Sequence, residues 1–282
     1  MRQFQIKRRN TLRLRRSVWR VVTLSSVCAL FVGGLGYAVF FSGLFAVRHM
    51  AINGARIIDA SALKAAAESY VDTIAQPEYL NANMLALVSG DLERAIRERF
   101  KVIASVRVEK HYPSRLVIEV REHAFAGIWC VERTQAYEEP EKCFVMDTEG
   151  ILYDDAASIS GTLVMVVKSP RPAVISDAVT DANTIHSLQF LHRQLRDRWG
   201  LAVNAFRFNA PPDMEASFVS DPWKLIFDAS RNAPDTLYAL EKTFTALGDR
   251  RSALTYIDLR VSHRSYYAFD GAEGFPEEIT SD

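Results

Sequence analysis

The sequence predicts an α+β protein on a single membrane anchor. It reads as one apolar transmembrane helix, then a compact unit with two helices on one face of a small sheet, then a β-rich unit with an antiparallel sheet and flanking helices. Three observations predict this. Residues 1–47 hold eight bases and no acidic side chain, and residues 21–47 hold no charged side chain and no histidine. Residues 47–123 read as strand, helix, helix, strand, strand, the last two alternating apolar and charged side chains with the period of a half-buried strand. Residues 124–270 contain many short strands set off by turn residues, with only two helical stretches.

The anchor comes first. A hydrocarbon core about 30 Å thick needs roughly 20 apolar helical residues, and residues 21–41 supply them. The helix is placed at 21–43, behind a basic tail at 1–20 made by Arg2, Lys7, Arg8, Arg9, Arg13, Arg15, Arg16 and Arg20. Such a flank stays on the cytoplasmic side and is suited to anionic lipid heads, so the bulk of the chain is expected outside the inner membrane. A cleaved signal peptide is the competing reading. Its apolar stretch is normally about 7–15 residues, with small residues at the cleavage site. Here the stretch is longer, and its exit, Phe40-Phe41-Ser42-Gly43-Leu44-Phe45, is bulky and aromatic. A retained anchor is therefore the expectation. Gly33, Gly34 and Gly36 either admit a second helix closely or reflect the ordinary abundance of glycine in membrane helices.

The formal net charge of zero hides an asymmetry: all 34 acids follow the anchor, with 26 of the 34 bases. A body with that acidic excess makes a poor nucleic-acid binder, which needs a basic surface. Its size, about 235 residues, exceeds one average domain, so two are expected.

The first exported unit opens with a strand through Val47, Met50 and Ile52, closed by the turn pair Asn53-Gly54. Asp59 or Ser61 caps a helix that runs through Leu63 to about Val71 and stops at Gln76-Pro77. A second helix covers about residues 89–100, with Asp91 and Glu93 near its start and Arg97, Arg99 and Lys101 near its end, as the helix dipole favours. Strands follow at 105–110 and 116–121, with Leu116, Ile118 and Val120 on one face and Tyr112-Pro113-Ser114 turning between them.

In the second unit, residues 144–147 and 151–153 form a hairpin about Thr148-Glu149-Gly150. A continuous apolar strand at 163–167 is broken by Pro170 and Pro172. A helix at 184–199 buries Ile185, Leu188, Leu191, Leu195 and Trp199. Strands at 201–208, 215–219 and 223–227 precede a helix at 234–247, whose early proline is tolerated. Strands at 253–260 and 265–269 follow, and the acidic stretch 271–282 is expected to be disordered. Cysteine is scarce. Cys28 lies in the span, and Cys130 and Cys143 flank the polar stretch 134–141. Either they form a disulfide, which would stabilise the loop by roughly 3 kcal/mol on the chain-entropy model, or they are free thiols on adjacent strands.

Enzyme inventories fail. His111 and His123, with Cys130 or Cys143, lack the spacing of a zinc site, and His186 and His192 fall on different faces of one helix. Neither a nucleophile elbow nor a phosphate loop is present. Asp147, Glu149, Asp154 and Asp155 could form a paired-carboxylate site, but solvated turn acids are the plainer reading. The end of the sheet is more informative. A strand near the margin presents unpaired N–H and C=O groups, and an extended partner can add a strand there. Tyr266, Tyr267 and Phe269 then supply aromatic anchor area, or else they cover the sheet's own core.

The chain also carries a resemblance. Met50-Ala51-Ile52-Asn53-Gly54, then Val106-Arg107-Val108-Glu109-Lys110-His111-Tyr112-Pro113-Ser114-Arg115-Leu116, then Val117-Ile118-Glu119-Val120-Arg121-Glu122-His123 with Trp129 downstream, resembles the POTRA domain of the FtsQ/DivIB bacterial cell-division proteins. The hairpin from Asp147 through Gly150 and the strand ending Asp258-Leu259-Arg260, both in the second unit, also resemble that family. Departures are Tyr112-Pro113 where relatives favour Trp-Pro, Ala124-Phe125-Ala126 in place of Pro-Val-Ala, and Ser262-His263-Arg264 where a glycine is common.

The resemblance implies a POTRA domain with a small mixed sheet at 45–123, and a β domain at 124–270. It implies a bitopic, cofactor-free, non-enzymatic scaffold of the divisome in the inner membrane at the septum. Its partners would be the FtsB and FtsL coiled-coil proteins together with septal wall-synthesis proteins. The matched motif places docking at Arg260, Val261, His263, Tyr266, Tyr267 and Phe269. On this reading glutamate at Tyr267 or Phe269 breaks docking without unfolding the domain. The rival is a membrane-tethered periplasmic cell-wall hydrolase. A component of outer-membrane export would need repeated POTRA units or a barrel sequence.

Overall fold

A computed structural model describes residues 2–41, 43–74, 83–132, 141–156, 163–210, 212–270 and 277–280. The helix stop at Gln76-Pro77, residues 134–140 of the polar connection, and residues 271–276 and 281–282 of the acidic stretch lie outside these. Helix α1 spans Arg2–Phe41. Its stretch Trp19–Val39 is long and apolar enough to cross a membrane, beginning two residues before the expected span. The chain divides into two compact units at Glu122 and His123.

In the first unit, strand β1 is His49–Asn53, helix α2 Ala60–Ile74, helix α3 Ser89–Arg99, β2 Ile103–His111 and β3 Arg115–Glu122. The sheet order is β1-β3-β2, with β1 parallel to β3 and β2 antiparallel to it. A helical crossover is what a parallel pair requires, and α2 and α3 lie within it. Leu63, Ala67, Leu92 and Ile96 from the helices meet Leu116, Ile118 and Val120 from β3 in one core. Asp59 starts α2 by accepting from the Ser61 N–H at 2.9 Å.

Two contacts fix the chain between β1 and α2. Gly54 has φ +90, and a Cβ there would stand 2.0 Å from the Val120 carbonyl oxygen. Only glycine takes that conformation and that proximity cheaply. Just beyond Gly54, Glu122 at the end of β3 accepts from the backbone N–H groups of Arg56, Ile57 and Ile58 at 3.1, 2.9 and 2.9 Å. Burial opposes ionisation of this carboxyl, but the N–H groups of Ile58, Ile57 and Arg56 outweigh it and hold the group below its usual range.

The second unit has strands β4 (Phe125–Val131), β5 (Lys142–Asp147), β6 (Leu152–Asp155) and β7 (Val166–Ser169), then helix α4 (Ala182–Trp199). Strands β8 (Val203–Ala210), β9 (Asp213–Phe218) and β10 (Lys224–Asp228) lead to helix α5 (Ala233–Leu247). A 3₁₀ turn, Gly248–Ala253, brings in β11 (Leu254–Asp258), β12 (Arg264–Phe269) and β13 (Glu277–Thr280). These strands form one sheet in the order β13-β12-β11-β10-β9-β8-β7-β4-β5-β6.

The sheet is mixed rather than antiparallel throughout. β7 with β8 and β10 with β11 are parallel pairs, crossed by α4 and α5, and β4 is parallel to β7. The two helices pack on the sheet and on each other, so one core joins Leu188 and Leu195 of α4, Leu237, Leu240 and Phe244 of α5, and Phe144, Phe206 and Phe227 of the strands. α4 is capped by Asp181, which accepts from the N–H groups of Asn183 and Thr184, and it ends at Gly200 with φ 69, matching the usual helix stop.

Two expectations need correction. The strand expected at 163–167 is paired only at Val166–Ser169. The stretch 271–282 is not disordered throughout, because residues 277–280 pair with β12. Three polar residues and one isoleucine read as solvated chain; the isoleucine, Ile279, packs against the core of the sheet.

Candidate partner-docking margin

The residues singled out for docking gather at one end of the large sheet. β11 ends at Asp258, and a short turn returns the chain as β12, antiparallel to it, with Ile257 opposite Tyr267 and Asp258 opposite Tyr266. Leu259 is buried and donates its N–H to the Ile226 carbonyl at 2.8 Å, so the turn begins only after the chain has been fastened to β10.

Arg260 clamps the turn. Its Nε and Nη2 donate to Asp258 Oδ1 and Oδ2 at 3.0 and 2.7 Å, and its Nη1 donates to Asp213 Oδ2, on β9, at 2.6 Å. The hydrogen bonds it donates to Asp258, then to Asp213, raise the guanidinium pKa further still. A fork bonded on two sides is a geometric lock. The Asp258-Leu259-Arg260 motif therefore shapes the margin, tying the end of β11 to β9 across β10.

Beyond the clamp, Val261 is exposed. His263 sits at φ 61, a conformation in which glycine is favoured and histidine is one of the tolerated exceptions.

Along β12 the side chains alternate. Ser265 and Tyr267 are buried, and Arg264 and Tyr266 lie on the other face. Tyr267 is only 5 % exposed and belongs to the core. It makes an edge contact with Phe269 at 5.6 Å, and Phe269 in turn carries the Arg250 guanidinium 5.2 Å above its ring. The expectation that Tyr267→Glu or Phe269→Glu leaves the domain intact is therefore corrected. Tyr267 is a core residue, Phe269 packs against the same core, and Tyr266 is the aromatic of this strand that the core does not claim.

The margin is also not bare. β13 runs antiparallel along the outer side of β12, with Ser265 opposite Ile279 and Tyr266 opposite Glu278. Tyr267 donates its hydroxyl to Glu277 Oε2 at 2.8 Å. Burial, and then that carboxylate, push the phenol pKa up. Arg264 lies 3.4 Å from Glu278, and Arg250 lies 3.9 Å from Glu277. The strand expected at the sheet margin is thus the second from the end among the described residues. No signal in the acidic stretch pointed to this.

The remaining candidates are engaged elsewhere. His123 Nδ1 lies 2.6 Å from Asp147 Oδ2, and its ring stacks on Tyr153 at 4.5 Å. Asp147 Oδ1 also accepts from the N–H groups of Glu149 and Ile151 at 2.9 and 2.8 Å. Asp147 is consequently a buried organiser of the β5–β6 turn, not a solvated acid and not free for paired-carboxylate chemistry, while Asp154 and Asp155 are exposed. His111 stands opposite Arg115 at the turn end of its hairpin, whereas His123 follows Glu122 at the far end of β3. Cys130 and Cys143 are directly opposed on β4 and β5 and joined as a disulfide. Glu141 lies near both sulfurs, but sulfurs bonded to each other offer no thiolate to a metal.

The comparison with known families bears on the first unit. Residues 45–123 match the model of the POTRA domain, FtsQ-type. No curated protein matches the chain. The matched residues take in β1 through β3 with both helices. They follow one apolar helix and precede a large sheet domain, an arrangement suited to protein–protein contacts within the division machinery. On that match, residues 45–123 of this chain form a POTRA domain of the FtsQ type.

Proposed function

We propose that the protein is a bitopic scaffold of the bacterial divisome, without catalysis of its own, that takes the FtsB–FtsL coiled coil on the β12 margin of its large sheet. The observation that carries the proposal is the FtsQ-type POTRA domain at 45–123 behind an apolar helix. The margin adds an aromatic, Tyr266, off the core and a turn held rigid by Arg260. Strand addition at such an edge draws affinity from backbone hydrogen bonds and specificity from alternate side chains. In this reading the basic tail is cytoplasmic, both folded units are periplasmic, and the POTRA unit recruits the protein to the septum. Partner binding then regulates septal peptidoglycan synthesis.

Arg260, Val261, His263, Tyr266, Tyr267 and Phe269 divide accordingly. Val261 and Tyr266 are offered to the partner. Arg260 and His263 shape the turn. Tyr267 and Phe269 hold β12 to its core.

The test is capture of the FtsB extracytoplasmic segment by the full chain in nanodiscs. Tyr266→Glu is expected to weaken capture by about tenfold or more, the scale of an aromatic hot spot, with an unchanged melting temperature. Undiminished capture by that variant removes the docking site. Depletion is expected to give long undivided cells, and normal septation on depletion removes the divisome role.

A further inference from the structure

We infer that β13 is a built-in occupant of the docking edge, a strand of this chain that lies where the partner's strand goes and leaves when the partner arrives. The inference rests on the docking reading above and adds its regulation. β12 has two sides: β11 holds one, and β13 holds the other in antiparallel register from Arg264–Thr280 to Tyr267–Glu277. An extended partner that adds to β12 needs the hydrogen-bonding groups that β13 now uses.

What holds β13 is slight. It has four residues. Ile279 packs against the core, and Glu277 reaches the hydroxyl of Tyr267. Its ion pairs, Glu277 with Arg250 and Glu278 with Arg264, join side chains that are mostly in solvent; such pairs are weak and screened by salt. By contrast β11, on the inner side of β12, is flanked by strands on both sides and contributes Leu254 and Ile257 to the core. β12 is therefore permanently fixed on one side and reversibly covered on the other.

A competing internal strand does two things. It satisfies an edge that would otherwise invite pairing between copies of the chain. It also lowers the apparent affinity of the partner by the fraction of molecules whose edge is open. The acidic pair Glu277-Glu278 sets the strength of the cover through Arg250 and Arg264, so a partner strand with acidic residues in the same places inherits the same cationic frame.

Hydrogen exchange on the full chain in nanodiscs, with and without the FtsB extracytoplasmic segment, tests this. Release of β13 predicts that residues 277–280 lose protection when the partner binds, while residues 264–269 keep theirs. Gain of protection at 277–280, or no change with partner bound, means that the partner adds outside β13 and overturns the inference while the docking reading survives.

Two variants sharpen the measurement. Truncation after Asp270 is expected to tighten binding by about tenfold, corresponding to an edge open in about one molecule in ten; equal or weaker binding counts against a cover. Ser265→Cys with Ile279→Cys, an opposed pair facing the core, is expected to lose capture when oxidised and regain it in reductant, with wild type unaffected. Full capture by the oxidised pair overturns the inference. Failure of wild type, truncated and locked chains alike to bind the partner removes the docking reading itself.

Discussion

Tyr267 donates its hydroxyl to Glu277 over 2.8 Å, a bond that crosses from a core residue of β12 to an exposed carboxylate of β13. One side chain thus takes part in both the permanent and the reversible face of the sheet margin. Tyr267→Phe removes only the hydroxyl and is expected to cost about 1 kcal/mol or less, the net value of one hydrogen bond. Tyr267→Glu places a charge in the core and is expected to cost more than about 3 kcal/mol. Thermal unfolding of the full chain checks both. Equal melting temperatures for the two variants would contradict the placement of this ring.

Gly54→Ala tests the crossover into α2. The new Cβ would meet the Val120 carbonyl oxygen at 2.0 Å in a backbone of φ +90. The backbone conformation by itself is expected to cost about 1–3 kcal/mol, and the clash adds to it. Chemical denaturation followed by circular dichroism reads the loss, and a variant as stable as wild type would show that this turn has room to shift.

Glu122 gives the first unit an acid-side dependence. Its folded pKa lies below the ordinary value of 4.5, so its stabilisation is complete above that value and disappears as pH falls through the lowered folded pKa. Glu122→Gln is expected to destabilise the unit at pH 7 by about 1 kcal/mol, discounted for solvent screening, and to flatten the pH profile below pH 5. Parallel acid unfolding of wild type and variant would refute the role of this carboxylate.

The bond between Cys130 and Cys143 closes a loop with a sequence separation of 13. Replacing both with alanine is expected to lower stability by roughly 3 kcal/mol on the chain-entropy model. Intact mass under non-reducing conditions checks the pairing, and calorimetry checks the cost. Free thiols in protein purified from an oxidising compartment would remove the bond from the account.

Legibility in the sequence varied with local periodicity. β2, β3 and α4 stand where alternation and helical spacing put them, because each buries the face that its pattern marks as apolar. β4 carries no periodic signal in the sequence. Phe125–Val131 is buried at nearly every position, between β5 and β7, so it shows no alternation. β13 reads in sequence as disordered chain, since its composition is acidic and a single isoleucine cannot signal a strand. At the candidate site the motif Asp258-Leu259-Arg260 was visible, but its task was not. Only the approach of Asp213 from β9 shows that Arg260 is a clamp.

By itself the sequence determined the uncharged apolar helix, the helices and alternating strands that follow it, and the glycine at the Asn53-Gly54 turn. All of these depend on residues near one another in the chain, where polarity and backbone sterics act directly. The tertiary structure decided which strands are neighbours, which face of β12 belongs to the core, and what covers the outer edge of β12. Those are contests between surfaces brought together from distant parts of the chain, and their outcome depends on burial and hydrogen bonding that no local window of residues contains.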